Sequence, residues 1–430
     1  MDLIPVIVLF VLFAINVPIA FSIAISTLVF FLNAQISGGP PLVIFIQKIV
    51  SATHSFPLLA VPFFITAGTV MNYGGITRRL MDLADALTGH MIGGLAQVNV
   101  LLSTLMGGLS GSANADAAMQ SKILVPEMLK RGYDDAFSAC VTACSSIITC
   151  IIPPGIGLII YGFISDQSIG KMFIAGIIPG ILLCIALMTV VRIISGKRNY
   201  KSNRDRKATI KEKWNAFKPA IWALLIPFGI LGGIRFGAFT PTEAGAMAVI
   251  YSLIIGFFAY KELKIKDIPT IIIESICSTA IVMLIICAAS AFGYYMTWER
   301  IPIRLAETIT HYTQNPYVLL MLINILLIIT GMFIEGTAAM ILLGPLLIRI
   351  VDASGINLIH FGILAVLNLT IAGVTPPVGT LMFATCSIVK VPISRFSKEV
   401  IPFLVALYAV LFLLTFVPIL VTFLPDLLMR

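Results

Sequence analysis

Charge is scarce in this sequence. Of its 430 residues, 11% are Asp, Glu, Lys or Arg and 59% are hydrophobic, with a mean hydropathy of +1.04. Soluble domains carry about 25% charged residues, so a water-soluble globular fold is excluded. Disulfide and metal frameworks are equally poorly supplied. The seven cysteines (Cys140, Cys144, Cys150, Cys184, Cys277, Cys287 and Cys386) are odd in number, lie in apolar stretches and form no C-x-x-C pair. Cys140 and Cys144 share a helix face, but no His or third Cys stands nearby to complete a zinc set. Nucleotide-binding loops are missing too, because Gly170-Lys171-Met172 lacks both the upstream glycine and the following Ser or Thr. Neither G-x-S-x-G nor H-E-x-x-H occurs, and the four histidines are scattered. Energy from ATP would have to come from another chain. The start, Met1-Asp2-Leu3-Ile4-Pro5, lacks the basic region of a signal peptide and reads as a first membrane helix.

What is present is grease in long runs. Apolar segments fall at 3–32, 57–73, 92–108, 136–152, 172–195, 219–234, 243–260, 269–297, 316–332, 358–374 and 400–425. About 20 apolar residues cross the hydrocarbon as a helix, and only helices or closed barrels satisfy their backbone there. The runs are continuous rather than alternating, so a barrel is excluded and the fold class is all-α integral membrane. Shorter apolar pieces at 114–129, 154–164, 336–350 and 378–389 suit half-helices and re-entrant hairpins. Segments 76–90 and 301–314 mix charged and apolar residues at helical spacing and suit interfacial arm helices.

The net charge of +8 is not spread out. Between Arg192 and Lys218, ten basic residues stand against Asp205 and Glu212, so one short segment holds the whole excess. The positive-inside rule places it in the cytoplasm and makes a nucleic-acid footprint unnecessary. Two spans later, Tyr260-Lys261-Glu262-Leu263-Lys264-Ile265-Lys266 returns to the same side by an even count of crossings.

The sequence also repeats itself. Ile76-Thr77-Arg78-Arg79-Leu80 matches Ile301-Pro302-Ile303-Arg304-Leu305, and Ser110-Gly111-Ser112-Ala113 matches Glu335-Gly336-Thr337-Ala338, both at an offset of 225. Pro153-Pro154-Gly155 matches Pro376-Pro377-Val378 at 223, as Phe173 matches Phe396 and Pro179 matches Pro402. Shared hydrophobicity does not produce ordered landmarks of this kind, and repeated halves with broken helices are a transporter architecture. The division expected is 1–195 for the first repeat with its scaffold helices, 196–218 for the basic loop and 219–430 for the second repeat.

Three constellations could carry chemistry. Gly107 to Asp116 sets Ser110, Ser112, Asn114 and Asp116 among small residues between two apolar segments, supplying hard oxygen donors for a small cation. A solvent-exposed turn capped by Asp116 is the bland alternative. Glu335, Gly336 and Thr337 fill the matching slot, and a loop glutamate in water is the alternative there. The pairs Pro153-Pro154 and Pro376-Pro377 remove backbone donors, strand carbonyls for a cation and leave half-helix N-termini for an anion. Thr240-Pro241-Thr242-Glu243 reads as a structural capping box.

The ordered set Pro62-Phe63-Phe64 with Gly68, Leu109-Ser110-Gly111-Ser112-Ala113, Ile152-Pro153-Pro154, Phe239 to Gly245 and Thr375-Pro376-Pro377-Val378-Gly379 resembles the large membrane subunit of tripartite ATP-independent periplasmic (TRAP) transporters over essentially the whole chain. The resemblance implies two inverted repeats with re-entrant hairpins, and an elevator-type transport domain in a scaffold with interfacial arm helices. It implies a multi-pass protein of the bacterial inner membrane that imports a small organic acid (a sugar acid, sialic acid or a dicarboxylate) on a sodium gradient. Two partners are implied: a small four-helix membrane subunit and a soluble periplasmic substrate-binding protein. Sodium (Na+) ligation would fall to Ser110, Ser112, Asp116, Glu335, Gly336, Thr337 and Thr375, with carbonyls at Pro153 and Pro376. The acid would lie near Ser112, Asn114, Gly155, Thr337, Gly379 and Thr380. The family often has a small aliphatic residue where Asn114 stands. A stand-alone ion-coupled carboxylate transporter of related fold is the second reading, and an intramembrane enzyme using Asp116 and Glu335 a third without an apparent nucleophile–base pair.

Overall fold

The computed structural model describes residues 3–15, 17–36, 38–301, 303–304 and 315–429, and every regular element among them is helical. In chain order the helices are α1 (Ile4–Ala14), α2 (Ile19–Ile36), α3 (Val43–Thr53), α4 (Ala60–Tyr73), α5 (Ile76–Thr88), α6 (Gly94–Ser110) and α7 (Ala113–Lys130). There follow α8 (Asp135–Ile151), α9 (Ile156–Ile164), α10 (Ile169–Ala175), α11 (Ile177–Lys197), α12 (Ile210–Arg235), α13 (Pro241–Ile254) and α14 (Ile268–Trp298). The chain closes with α15 (Pro316–Phe333), α16 (Gly336–Ala353), α17 (Leu358–Ala372), α18 (Thr380–Val389), α19 (Ile393–Glu399), α20 (Ile401–Phe416) and α21 (Ile419–Leu428). Among the described residues seven helices are long and apolar enough to cross a membrane, or nine if each sharply bent pair is one span.

Several apolar runs are subdivided. The run 3–32 is two helices, because Pro18 offers no donor and disfavours helix in the residue before it. The runs 172–195 and 400–425 also divide, the latter just before Pro418. Helix α3 had no counterpart among the expected segments, since Gln47, Lys48 and Ser51 interrupt its apolar residues. The piece expected at 336–350 as a half-helix extends to 18 residues and is apolar enough to count as a candidate span. Of the expected arm 301–314, residues 302 and 305–314 lie outside the described residues. The basic segment 196–218 is only partly loop, for α12 starts at Ile210, where Thr209 and Glu212 form a capping box.

Helix bounds repeat across the chain. Helix α8 begins at Asp135 and α17 at Leu358, an offset of 223; α10 and α19 begin at Ile169 and Ile393, and α11 and α20 at Ile177 and Ile401, offsets of 224. The breaks after α8 and α17 each contain a cis Pro-Pro bond, at Pro153-Pro154 and Pro376-Pro377.

Contacts locate the ends of the helix pairs. At the α6 start, Gly93 N–H donates to the Tyr200 carbonyl at 3.3 Å and Asn203 N–H donates to the Gly89 carbonyl at 2.7 Å. At the α7 end, Tyr133 donates to the Lys201 carbonyl at 3.3 Å and its ring lies 4.5 Å from that of Tyr200. Both ends of the α6–α7 pair thus abut the basic segment. The α15–α16 pair does the reverse. Its exit lies beside α9, where Tyr161 donates to the Leu358 carbonyl at 2.7 Å, and its entry lies beside the end of α20, where the Tyr317 and Phe416 rings are 5.7 Å apart. Helix α5 packs Ile76, Leu80, Leu83 and Ala84 inward and keeps Arg78 and Asp82 exposed. Its two ends are tied to the basic turns, by Arg79 to Glu262 at 2.5 Å and by Asp85 to Arg204 at 2.7 Å. The Tyr260 hydroxyl donates to the Pro219 carbonyl, which brings the second basic turn beside the base of α12. Thr240 and Glu243 form the capping box that the sequence predicts.

Candidate functional site

Both hairpin tips are made the same way. Helix α6 ends at Ser110, Gly111 turns the chain at φ +59, and the Ser112 hydroxyl caps α7 by accepting from Ala115 N–H at 3.4 Å. In the second tip the Glu335 carboxylate caps α16, accepting from Ala338 N–H at 3.0 Å. The two caps, Ser112 and Glu335, are equivalent at an offset of 223, so the structural register differs by two from the 225 of the sequence match. The cap on α7 is Ser112, and Asp116 lies a turn inside the helix rather than at an exposed turn.

Each tip leans on a broken helix. Ile156 N–H donates to the Gly111 carbonyl at 3.2 Å, and Gly379 N–H donates to the Met332 carbonyl at 2.8 Å. A Cβ on Gly111 would sit 2.2 Å from the Pro154 carbonyl oxygen, so only glycine allows this approach. Helix α4 closes in from the other side, where a Cβ on Gly68 would lie 3.3 Å from Ser110 Cα.

Between the tips lies a cavity of about 700 Å³. Ser110, Ser112, Asn114, Glu335, Gly336, Thr337 and Thr380 line it, seven of the expected site residues drawn from opposite halves of the chain. Helices α7, α9, α16 and α18 all present first-turn residues to it. Helices α9 and α18 start on Gly155 and Gly379, which have no side chain to cap them; backbone carbonyls do part of that work, Gly111 accepting from Ile156 N–H and Gly373 from Leu381 and Met382 N–H. The Ser110 hydroxyl, buried at the cavity edge, has no hydrogen-bond partner. Among the described residues that line it there is no Lys, Arg or His, and Glu335 is the one charged group.

The other expected residues lie off the cavity wall. Asp116 is buried behind the first tip; its Oδ2 accepts from Ser103 Oγ at 2.8 Å and Gln120 Nε2 at 2.7 Å, while Oδ1 has no partner. Thr375 is engaged elsewhere, donating to the Ile371 carbonyl at 2.9 Å with the Tyr408 hydroxyl also 2.9 Å away. Pro153, Gly155, Pro376 and Gly379 form the breaks without lining the chamber. Stranded carbonyls were expected at both breaks, and the second corrects this. There Thr375 N–H donates to the Ala372 carbonyl at 3.0 Å, and Leu381 and Met382 N–H both donate to the Gly373 carbonyl, at 2.9 and 3.1 Å. The following turn folds back and supplies the donors that the prolines lack.

Sequence reasoning missed the polar network behind the tips. Ser145 donates to Asn99 Oδ1 at 2.8 Å, Asn99 Nδ2 donates to Thr142 Oγ1 at 2.8 Å, and Ser103 Oγ lies 3.0 Å from Ser145 Oγ. In the second half Asn368 Nδ2 donates to Asn324 Oδ1 at 2.9 Å, and Asn324 Nδ2 donates to Thr415 Oγ1 at 3.1 Å. Asn99 pairs with Asn324 at an offset of 225 and Ser145 with Asn368 at 223, a signal available in the sequence beside the proline landmarks.

Comparison with known proteins decides the class. The family model described as "Tripartite ATP-independent periplasmic transporter, DctM component" matches residues 6–420. The chain belongs to the DctM family. This TRAP permease is 41% identical over 414 residues to "Sialic acid TRAP transporter permease protein SiaT" of Haemophilus influenzae, covering 96% of its own length and 66% of that relative's. It is 39% identical over 412 residues to "Sialic acid TRAP transporter large permease protein SiaM" of Vibrio cholerae, covering 96% of this chain and 95% of that one. Its fold resembles the solved Alcanivorax borkumensis YdaH transporter, with a TM-score of 0.64 at 13% identity over 88% of each chain. The DctM chain is therefore a transporter permease and not an enzyme, and its candidate spans make it a multi-pass protein of the inner membrane.

Proposed function

We propose that this TRAP permease imports a small organic acid on a sodium gradient. The observation that carries the reading is that both capped tips, Ser110 to Asn114 and Glu335 to Thr337, line one cavity. A chamber whose one charged group is a carboxylate does not hold an anion by itself. A cation beside Glu335 and the free Ser110 hydroxyl supplies the missing charge. The acid then lies among Ser112, Asn114, Thr337 and Thr380, with Gly155 and Gly379 behind it. Asp116 acts from the second layer, holding the first tip through Ser103 and Gln120.

The halves 1–195 and 219–430, joined through 196–218, are read as inverted repeats. Support comes from the hairpin ends: those of α6–α7 abut the basic segment, and those of α15–α16 lie toward the other end of α8–α9. Re-entrant hairpins moving as an elevator against α4 and α12 fit the close approaches of Gly68 to Ser110 and of Gly108 to Pro227. The words tripartite and periplasmic in the family description, and large permease in the name of a relative, support a periplasmic binding protein that delivers substrate and a small membrane subunit, which the resemblance makes a four-helix one.

The test is uptake into vesicles carrying this chain with its partners. Ser112→Ala and Asp116→Ala are expected to abolish sodium-dependent uptake and leave assembly intact. Unchanged uptake would remove the tips from the mechanism, and uptake by this chain alone would favour a stand-alone transporter.

A further inference from the structure

We propose that the first two turns of α12, Ile210–Lys218, bind the headgroup of an anionic phospholipid on the basic side of the membrane. Helix α12 has 26 residues. At 1.5 Å per residue it is about 39 Å long, so about two turns exceed a hydrocarbon layer of roughly 30 Å. The basic end is the one that projects, since Lys211, Lys213 and Lys218 all lie in it.

The projecting turns do not look like a loop in water. Ile210 is 88% exposed and Trp214 is 55% exposed, and the Trp214 ring stacks on Phe217 at 5.7 Å. These residues continue the exposed stripe of Ile221, Leu225 and Phe228 further along the helix, at spacings of three and four that keep one face. Lys211 and Lys218, two turns apart, flank Trp214 on that face.

The positive charge there is uncommitted. Elsewhere in the basic segment Arg198 pairs with Glu399 and Arg204 with Asp85, each at 2.7 Å. Glu212 is held by Thr209 N–H at 2.7 Å and by Arg206 at 3.2 Å. Among the described residues Lys207, Lys211, Lys213 and Lys218 pair with no carboxylate. An indole at headgroup depth between two lysines suits a phosphodiester with its acyl chains attached. A soluble phosphate would satisfy the lysines and leave Ile210 and Trp214 bare. The lipid covers both.

The test uses the full chain purified from membranes with any subunit that accompanies it, in a Trp222→Phe, Trp298→Phe background that leaves Trp214 as this chain's single indole, and the signal is read as the difference from the same sample carrying Trp214→Phe as well. Brominated phosphatidylglycerol is expected to quench Trp214 saturably, and brominated phosphatidylcholine to do so weakly. Lys211→Ala with Lys218→Ala is expected to weaken phosphatidylglycerol binding about thirty-fold, at about fivefold per lysine near an anionic surface. Lys130→Ala, an exposed lysine elsewhere, leaves it unchanged. Equal quenching by both lipids, an unchanged affinity in the double variant, competition by glycerol phosphate, or a Trp214 covered by a protein subunit would each overturn the assignment.

Discussion

Gly111→Ala concentrates the architecture of the first tip in one methyl group. The Cβ would stand 2.2 Å from the Pro154 oxygen and 3.2 Å from Ile156 N, where non-bonded heavy atoms settle at about 3.5 Å. The φ of +59 adds about 1–2 kcal/mol for a residue with a Cβ. Relieving a backbone overlap in a packed site costs about 1–3 kcal/mol more, and the shift breaks the bond from Ile156 N–H to the Gly111 carbonyl. The sum, about 2–5 kcal/mol, falls on the seam between tip and break and not on the surrounding helices. Vesicle uptake is therefore expected to fall at least about thirtyfold, at about 1.4 kcal/mol per factor of ten, while the protein still assembles in the membrane. Gly229→Ala, where the added methyl meets nothing within 4 Å, is the matched control and retains uptake. Wild-type uptake by Gly111→Ala would refute the claim that this contact shapes the site.

Two further substitutions probe the tip's neighbours. Gly68→Val drives a branched side chain toward Ser110, whose Cα lies 3.3 Å from the Cβ position, and is expected to stop transport without loss of expression; a transport rate within twofold of wild type would contradict this. Ser145→Ala leaves Asn99 Oδ1 without its donor in a buried network, costing about 1–3 kcal/mol, and a thermal unfolding scan should show the loss.

The tips were legible in the sequence because their residue types are rare in a greasy chain and recur in order. Ser110 to Asn114 and Glu335 to Thr337, read as matching slots, do meet at one cavity. What sequence spacing did not reveal was which way a side chain turns. Asp116 and Ser112 stand one turn apart on α7, yet one points into the polar network and the other caps the helix. Thr375 is also turned away, by a tyrosine 33 residues further on that no local pattern connects to it. The second proline break looked identical to the first because the donors that repair it, on Leu381 and Met382, come from beyond the turn. The apolar runs hid their own divisions for a simpler reason: hydrophobicity continues across the bends before Ile19 and Ile419, and only Pro18 and Pro418 mark them.

The most direct measurement is sodium-specific stabilisation of the purified chain, read as its unfolding temperature in sodium against potassium at equal ionic strength. A cation site between the tips predicts a rise in sodium alone, lost in Ser110→Ala and Glu335→Gln. The same rise in potassium, or a sodium effect that survives both substitutions, would place the ion elsewhere and empty the cavity of its proposed role.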